Sequence, residues 1–260
     1  MQSILITGAS SGIGRELSRQ LARSDRRLLL AGRNGEALAE TAAGLPGEVA
    51  TETGDLTDSA FRDRLVSAAV DNGMNLLINN AGAGAFGALE QTSDKGIATL
   101  FATNVQAPVA LIRDLLPQLQ TVSNAQIVNI GSTLGALGFP GQAVYAGSKA
   151  ALRGVTEALR RELEGRAIKV QYIAPRATRT RLNSPCVTAL NEAMGHRMDS
   201  PESVARAIIK RLPRRAGDYY LGWPEKVFVR LNLLMPGAVD RFFRKHRRTI
   251  QAALAKEERS

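Results

Sequence analysis

The feature that most constrains this chain is the regular alternation of short apolar runs with longer amphipathic stretches. Runs at residues 2–7, 27–31, 47–51, 75–79, 126–130, 168–173 and 218–221 read as strands. Between them, residues 12–24, 34–43, 57–72, 92–120, 143–164 and 201–212 carry apolar side chains at helical spacing. A short strand without polar alternation is one buried on both faces, and parallel neighbours need a crossover between them, usually a helix. The pattern therefore predicts an α/β fold: a single doubly wound parallel sheet of about seven strands with helices on both faces.

The alternation lapses twice. Residues 175–200 form an Arg-, Asn- and Pro-containing insertion with no predicted element, and residues 222–260 form a helical extension beyond the last strand. Open parallel sheets bind ligands outside the carboxyl ends of their strands, so the first of these segments is expected to be a lid. No linker or repeat divides the chain. Residues 1–221 read as one catalytic domain, with a cofactor half at 1–125 and a catalytic and substrate half at 126–221. Residues 222–260 read as a basic amphipathic extension.

Composition excludes several function classes. Cys186 is the single cysteine, so no internal disulfide forms, and with only His196 and His246 beside it no metal site is expected. The first residues lack the basic start and apolar stretch of a signal peptide, and no run of about 18 apolar residues occurs. The expected location is the cytoplasm. The net charge of +10 suits an anionic partner, yet seven Lys or Arg lie between Lys226 and Arg248, so much of the excess is C-terminal. Aromatic residues are scarce and no nucleic-acid motif is present, so no nucleic-acid partner is expected.

The loop after the first strand reads Thr7-Gly8-Ala9-Ser10-Ser11-Gly12-Ile13-Gly14. Its glycines permit a tight turn and close backbone approach, and the helix that follows points free amides and a positive dipole end at a pyrophosphate. The second strand ends Ala31-Gly32-Arg33, where a site for NAD usually offers a carboxylate to the ribose hydroxyls. A guanidinium there would instead clamp a 2′-phosphate, which favours NADP(H). Further on, Gly131-Ser132 ends the fifth strand and Tyr145-Ala146-Gly147-Ser148-Lys149 opens a helix. Residues four apart share a helix face, and an ammonium beside a phenol stabilises the phenolate. That brings a group of unperturbed pKa about 10 toward the range useful for proton transfer.

Together these residues resemble the short-chain dehydrogenase/reductase family over about residues 1–221. Thr7-Gly8-x-x-x-Gly12-x-Gly14 matches its cofactor loop, Asp55-Leu56 its adenine-contacting acid, and Asn79-Asn80-Ala81-Gly82 its fourth-strand motif. Asn104, Ser132, Tyr145 and Lys149 match its catalytic tetrad. The resemblance implies a Rossmann-type fold and a homodimer or homotetramer. It also implies Tyr145 as proton donor and Lys149 lowering its pKa and binding the ribose. Ser132 would orient the carbonyl, and Asn104 would hold a water in a proton relay. Gly8, Ser10, Ser11, Gly12, Ile13, Gly14, Arg33, Asp55, Leu56, Asn80, Ala81 and Gly82 would meet the cofactor, as would Tyr145 and Lys149.

One motif departs from the family pattern. After the sixth strand the chain reads Pro175-Arg176-Ala177-Thr178-Arg179-Thr180-Arg181-Leu182, with Arg176 where a glycine is usual. Pro175, Thr178 and Thr180 keep places suited to the cofactor. Arg176, Arg179 and Arg181 either meet the pyrophosphate or an anionic substrate, or face solvent.

The segment 223–248 is amphipathic and basic. Val227, Leu231 and Leu234 share a helical face, Pro236-Gly237 breaks the stretch, and Phe242-Phe243 sit in a cationic cluster. It either covers an apolar substrate pocket, makes a peripheral contact with an anionic membrane, or packs on the core with a basic tail. The expected reaction is hydride transfer from NADPH to a ketone or 3-oxoacyl-type carbonyl of an apolar or lipid-like small molecule. That substrate would be bound by Ser132, Leu134, Phe139, Tyr145 and Leu182. An NADP-dependent alcohol dehydrogenase running oxidatively is the alternative. A non-catalytic nucleotide-binding sensor would have no use for the Tyr–Lys pair.

Overall fold

Successive residues of the first strand face opposite ways, and both ways lead into apolar interior. Ile4 and Ile6 of β1 (Gln2–Thr7) join one buried cluster and Leu5 joins the other. In β2 (Arg26–Gly32), Leu28 and Leu30 face the first cluster and Leu29 and Ala31 the second. β3 (Glu48–Thr53) is the exposed edge. β4 (Leu76–Asn79), β5 (Ala125–Ile130), β6 (Ile168–Ala174) and β7 (Gly217–Tyr220) complete the sheet. All seven strands are parallel, in the order β3-β2-β1-β4-β5-β6-β7, so the strand order reverses between β1 and β4. This is the Rossmann-type arrangement. It is described by a computed structural model covering residues 2–257, so Met1 and residues 258–260 of the predicted extension lie outside the described residues.

Helices cover both faces. Leu17 and Leu21 of α1 (Gly12–Leu21) and Leu38 of α2 (Gly35–Ala42) enter the first cluster, and Phe61, Leu65 and Ala69 of α3 (Ser59–Asp71) enter the second. The single helix expected over 92–120 is in fact two. α4 (Asp94–Phe101) and α5 (Ala107–Thr121) are joined by a π-helical turn at Ala102–Gln106, where Ala107 N–H reaches the carbonyl of Ala102. The cause is in the sequence: Pro108 has no N–H to give the carbonyl of Asn104, so the ladder widens there. α6 (Ala143–Glu162) follows β5 and its Leu159 joins the second cluster.

The segment 175–200 is less irregular than expected. It contains α7 (Pro185–Ala193), started by Pro185 and capped by Ser184, whose hydroxyl accepts from Val187 N–H. α8 (Pro201–Ile209) then packs on α1. Beyond β7 come α9 (Glu225–Leu234), α10 (Pro236–Lys245) and α11 (Arg247–Glu257). α11 lies against α7, and Ser184 hydroxyl bonds the Glu257 carboxylate at 3.0 Å. What reads in sequence as a possible basic tail is helical through the described residues. Among those residues no helix is long and apolar enough to cross a membrane, and no cluster of three or more His, Cys, Asp or Glu is placed to hold a metal.

Buried polar side chains stitch the carboxyl half of the sheet. Asn79 Nδ2 donates to Asn129 Oδ1 at 2.9 Å, and Asn129 Nδ2 to Thr156 Oγ1 at 2.8 Å, linking β4, β5 and α6. Asn79 Oδ1 has no hydrogen-bond partner, so that amide depends wholly on Asn129. Asn129→Leu should therefore cost about 1–3 kcal/mol for the orphaned Asn79 amide, beyond any packing change. Urea unfolding measures this, and a loss under about 0.5 kcal/mol would show the stitch to be dispensable.

Candidate active site

β1 ends where the chain turns at Gly8, with φ of 66°, into the loop that starts α1. A Cβ on Gly8 would stand 2.8 Å from Ala81 Cα, and one on Gly14 would stand 2.2 Å from the Gly8 carbonyl oxygen. Only glycines allow this approach. Thr7 Oγ1 accepts from the N–H groups of Asn80 and Ala81, both at 3.0 Å, and Asn80 Nδ2 donates to the Thr7 and Gly8 carbonyls at 3.0 and 3.3 Å. Ser11 makes no side-chain cap on α1, so the first-turn amides keep their capacity for an anion.

Gly8, Ser10, Ser11, Gly12 and Ile13 line one end of a cavity of about 990 Å³, together with Arg33, Asp55, Leu56, Asn80, Ala81 and Gly82. Gly14 is not on its wall. It is buried behind the loop and serves packing rather than contact. Arg33 is exposed and makes no hydrogen bond or ion pair with the described residues. The Asp55 carboxylate accepts from Thr57 N–H and Oγ1, each at 2.8 Å. Chiefly those bonds, with the nearby Arg33 charge, hold its pKa below the ordinary carboxylate range.

At the other end stand Ser132, Tyr145 and Lys149, with Pro175, Thr178 and Thr180. Tyr145 and Lys149 project from one face of α6 into the wall formed by the end of β5. Lys149 Nζ donates to the Ile130 carbonyl at 3.3 Å, and burial lowers its pKa to about 8. At pH 7 it remains largely protonated. Burial raises the Tyr145 pKa, and a hydrogen bond with the Ser132 hydroxyl opposes this in part. That direction is the reverse of what the Tyr–Lys spacing predicts. The ammonium stands 5.9 Å from the centre of the phenol ring, and desolvation of the phenolate is the largest influence on that hydroxyl.

Asn104 does not line the cavity. It is buried behind it, in the π turn, with both polar atoms of its side chain bonded to the protein. Its Oδ1 accepts from Ala83 N–H at 2.8 Å, and its Nδ2 donates to the Ala83 carbonyl at 2.9 Å and to Ser148 Oγ at 3.0 Å. Ser148 Oγ in turn donates to the Tyr145 carbonyl at 2.8 Å. Asn104 thus ties the loop after β4 to the turn of α6 that carries the tyrosine.

Two supporting residues escaped the sequence reading. Ser148 lay inside the quoted motif, and its signal was a hydroxyl three residues after Tyr145. Tyr172, on β6, is fully buried, and its hydroxyl lies 3.2 Å from both the N–H and the carbonyl of Ser132 and 3.3 Å from the Lys149 carbonyl. A phenol within a strand buried on both faces needs such partners, which was its signal.

Beyond Tyr145 the cavity turns apolar. Leu134, Phe139 and Leu182 line it, and so do Phe86, Val187 and Leu190. Part of the wall comes from the extension: Phe228 of α9 and Val239, Phe242 and Phe243 of α10. Phe243 meets Phe139 edge-on at 5.4 Å, and Phe242 lies 5.6 Å from Phe228. Phe242 and Phe243 therefore face the cavity, not a membrane.

Arg176 lines the cavity, and its guanidinium is engaged by the protein itself. Its Nε and Nη2 fork onto both oxygens of Asp199 at 2.8 and 2.7 Å, and Nη1 donates to the Trp223 carbonyl at 2.8 Å and faces Glu225 at 3.4 Å. Every guanidinium nitrogen has a protein partner, so the side chain pins the start of the extension to the loop after β6. Arg179 is exposed and Arg181 borders the cavity.

Comparison with known proteins agrees with this geometry. The short chain dehydrogenase family matches residues 2–191. Dehydrogenase/reductase SDR family member 7B of Bos taurus is 34% identical over 275 residues, covering 98% of this chain and 82% of that one. The rhamnolipids biosynthesis 3-oxoacyl-[acyl-carrier-protein] reductase of Pseudomonas aeruginosa is 34% identical over 235 residues, 84% of this chain and 91% of that one. Among solved structures, a short-chain dehydrogenase of Sphingobium yanoikuyae in complex with NADPH superposes with TM-score 0.77 at 28% identity, over 94% of this chain and 95% of that one. One of Burkholderia phymatum in complex with NAD superposes with TM-score 0.79 at 26% identity, over 89% and 92%. The chain belongs to the short-chain dehydrogenase/reductase family and is an NAD(P)-dependent oxidoreductase.

Proposed function

We propose that this enzyme reduces a ketone or 3-oxoacyl-type carbonyl of an apolar, lipid-like molecule with NADPH, and that Tyr145 donates the proton. The observation that carries the reading is the polarity of one cavity. It runs from an unpaired guanidinium and free helix amides, past a wall of half-buried Ser132 and buried Tyr145 and Lys149, into a chamber of phenylalanines. The glycine cradle at Gly8 and the first turn of α1 fit a pyrophosphate, and unpaired Arg33 at the end of β2 fits a 2′-phosphate.

Held at the Gly8 cradle, the first turn of α1 and Arg33, NADPH would supply the hydride to the carbonyl carbon. Ser132 and Tyr145 hold the carbonyl oxygen, and the Tyr145 hydroxyl gives its proton to the alkoxide as it forms. Lys149, with its ammonium held at the Ile130 carbonyl, orients the ribose and supports the charge left on Tyr145. Asn104 acts through Ser148 as a positioning residue for that turn of α6. In this reading residues 1–221 form the catalytic domain and residues 222–260 a C-terminal extension, whose described part, to residue 257, roofs the cavity. It also takes in a homodimer or homotetramer and a peripheral contact of segment 223–248 with a membrane.

NADPH oxidation assayed against medium- and long-chain ketones, 3-oxoacyl thioesters and steroids tests the reading. It expects turnover that rises with apolar bulk, and activity confined to small polar ketones would contradict it. Tyr145→Phe should remove turnover while NADPH affinity stays within about twofold, since only a hydroxyl is lost. A variant within a few-fold of wild-type activity would refute the assignment. Arg33→Ala should weaken NADPH binding by roughly 10- to 150-fold, from the ~1.5–3 kcal/mol of a charge-assisted bond, and leave NADH binding nearly unchanged. Fluorescence titration with both cofactors decides, and equal losses would make Arg33 merely structural.

A further inference from the structure

The outer face of the roof is as unusual as its inner face. At the turn from α9 to α10, Leu233 is 64% exposed, Leu234 82% and Met235 59%. Val227 and Trp223 are exposed as well. On the wheel of α9, Val227, Leu233 and Leu234 share one face with Lys226 and Arg230, all turned outward, while Phe228 and Asn232 point inward on the opposite side. Lys226 Nζ stands 4.7 Å from the centre of the Trp223 ring. Monomeric proteins seldom expose contiguous apolar side chains of this size without a partner for them.

Charge selects the partner. Arg241, Arg244, Lys245, Arg247 and Arg248 follow the turn and are exposed. Glu225 faces Arg176, which leaves Asp240 as the single acid between Lys226 and Arg248. A second copy of the chain docking through this patch about a two-fold axis would set cations against cations. An anionic lipid surface meets both features at once, since headgroups pair with Lys and Arg while a tip of Leu and Met enters the acyl boundary and Trp sits at the interface.

We propose that the α9–α10 turn and the outer face of α9 dock this enzyme on an anionic lipid bilayer, with the apolar end of its cavity directly beneath. Phe228 of α9 and Val239, Phe242 and Phe243 of α10 line that cavity from the inner side of the same two helices. One layer of helix thus separates the lipid-facing surface from the place where an apolar carbonyl compound would bind. The role given to this closeness, delivery of substrate from the bilayer, rests on the reading of the cavity as a site for a lipid-like carbonyl. The docking itself does not. Each cation near the surface adds about fivefold to partition, screened over roughly 8–10 Å, and burial of one exposed leucine adds roughly tenfold or more. Binding should be reversible and sensitive to salt.

Co-sedimentation of the full-length enzyme with phosphatidylcholine vesicles, with and without phosphatidylglycerol, tests this. The expected result is pelleting with anionic vesicles at low salt, reduced at least about tenfold by neutral vesicles or high salt. Leu234→Asp with Met235→Asp should abolish pelleting, and Arg244→Glu with Lys245→Glu should weaken it about tenfold or more. NADPH affinity, which needs neither pair, should be unchanged in both variants and reports that they are folded. The proposal is overturned if the wild type stays in solution at low salt, or if the Leu234/Met235 variant pellets undiminished. It is also overturned if that variant changes only the oligomeric state in analytical ultracentrifugation, because the turn is then an interface between copies. Vesicle binding without turnover of any lipid-like ketone would leave the docking intact and defeat the substrate reading alone.

Discussion

The structure depends on keeping a phenol and an ammonium out of water on one turn of one helix. Burial disfavours the ionised form of each, so Lys149 falls to about 8 and Tyr145 rises. Such a pair persists only where every nearby polar atom is satisfied. Here the Ile130 carbonyl takes Lys149, Ser132 meets Tyr145, and Tyr172 and Ser148 hold the backbone on either side. Asn104 reaches the same turn from the loop after β4, so the sheet, α6 and the π turn are locked to a common geometry.

The two ends of the cavity divide the remaining work. At the end beside the glycine loop the backbone passes so close that a Cβ on Gly8 would meet Ala81 and one on Gly14, behind the loop, would meet the Gly8 carbonyl. The apolar end is made of side chains from segments far apart in sequence: Phe86 after β4, Phe139 after β5, Leu182 after β6, and Phe242 and Phe243 from α10. Arg176 joins the two regions, since it leaves the loop that borders the cofactor end and grips Asp199, Glu225 and the Trp223 carbonyl. The departure from the usual glycine is thus compensated by an ionic anchor for the roof.

Much of this was legible in the sequence because local pattern and tertiary role coincide. Strands buried on both faces must be apolar runs, so Ile4-Leu5-Ile6 and Leu28-Leu29-Leu30 announce themselves. The cofactor loop is equally readable, since close approach demands glycine at fixed spacing. Other features depend on partners distant in sequence and leave no local trace. Nothing near Arg176 indicates that Asp199 and Glu225 will claim it. Phe242 and Phe243, set among cations, read as a surface until Phe139 and Phe228 are seen beside them. The π turn was legible in principle, because Pro108 denies its N–H to Asn104, but a continuous helical period masks a single widened turn.

The central claim is that hydride passes directly from the cofactor to a carbonyl carbon held by Ser132 and Tyr145. Turnover of the best ketone with NADPH deuterated on one or the other face of the nicotinamide C4, followed by mass spectrometry of the alcohol, tests it most directly. The account predicts one deuterium on the carbinol carbon from one labelled face and none from the other. Alcohol without deuterium from either label, or equal incorporation from both, would contradict it.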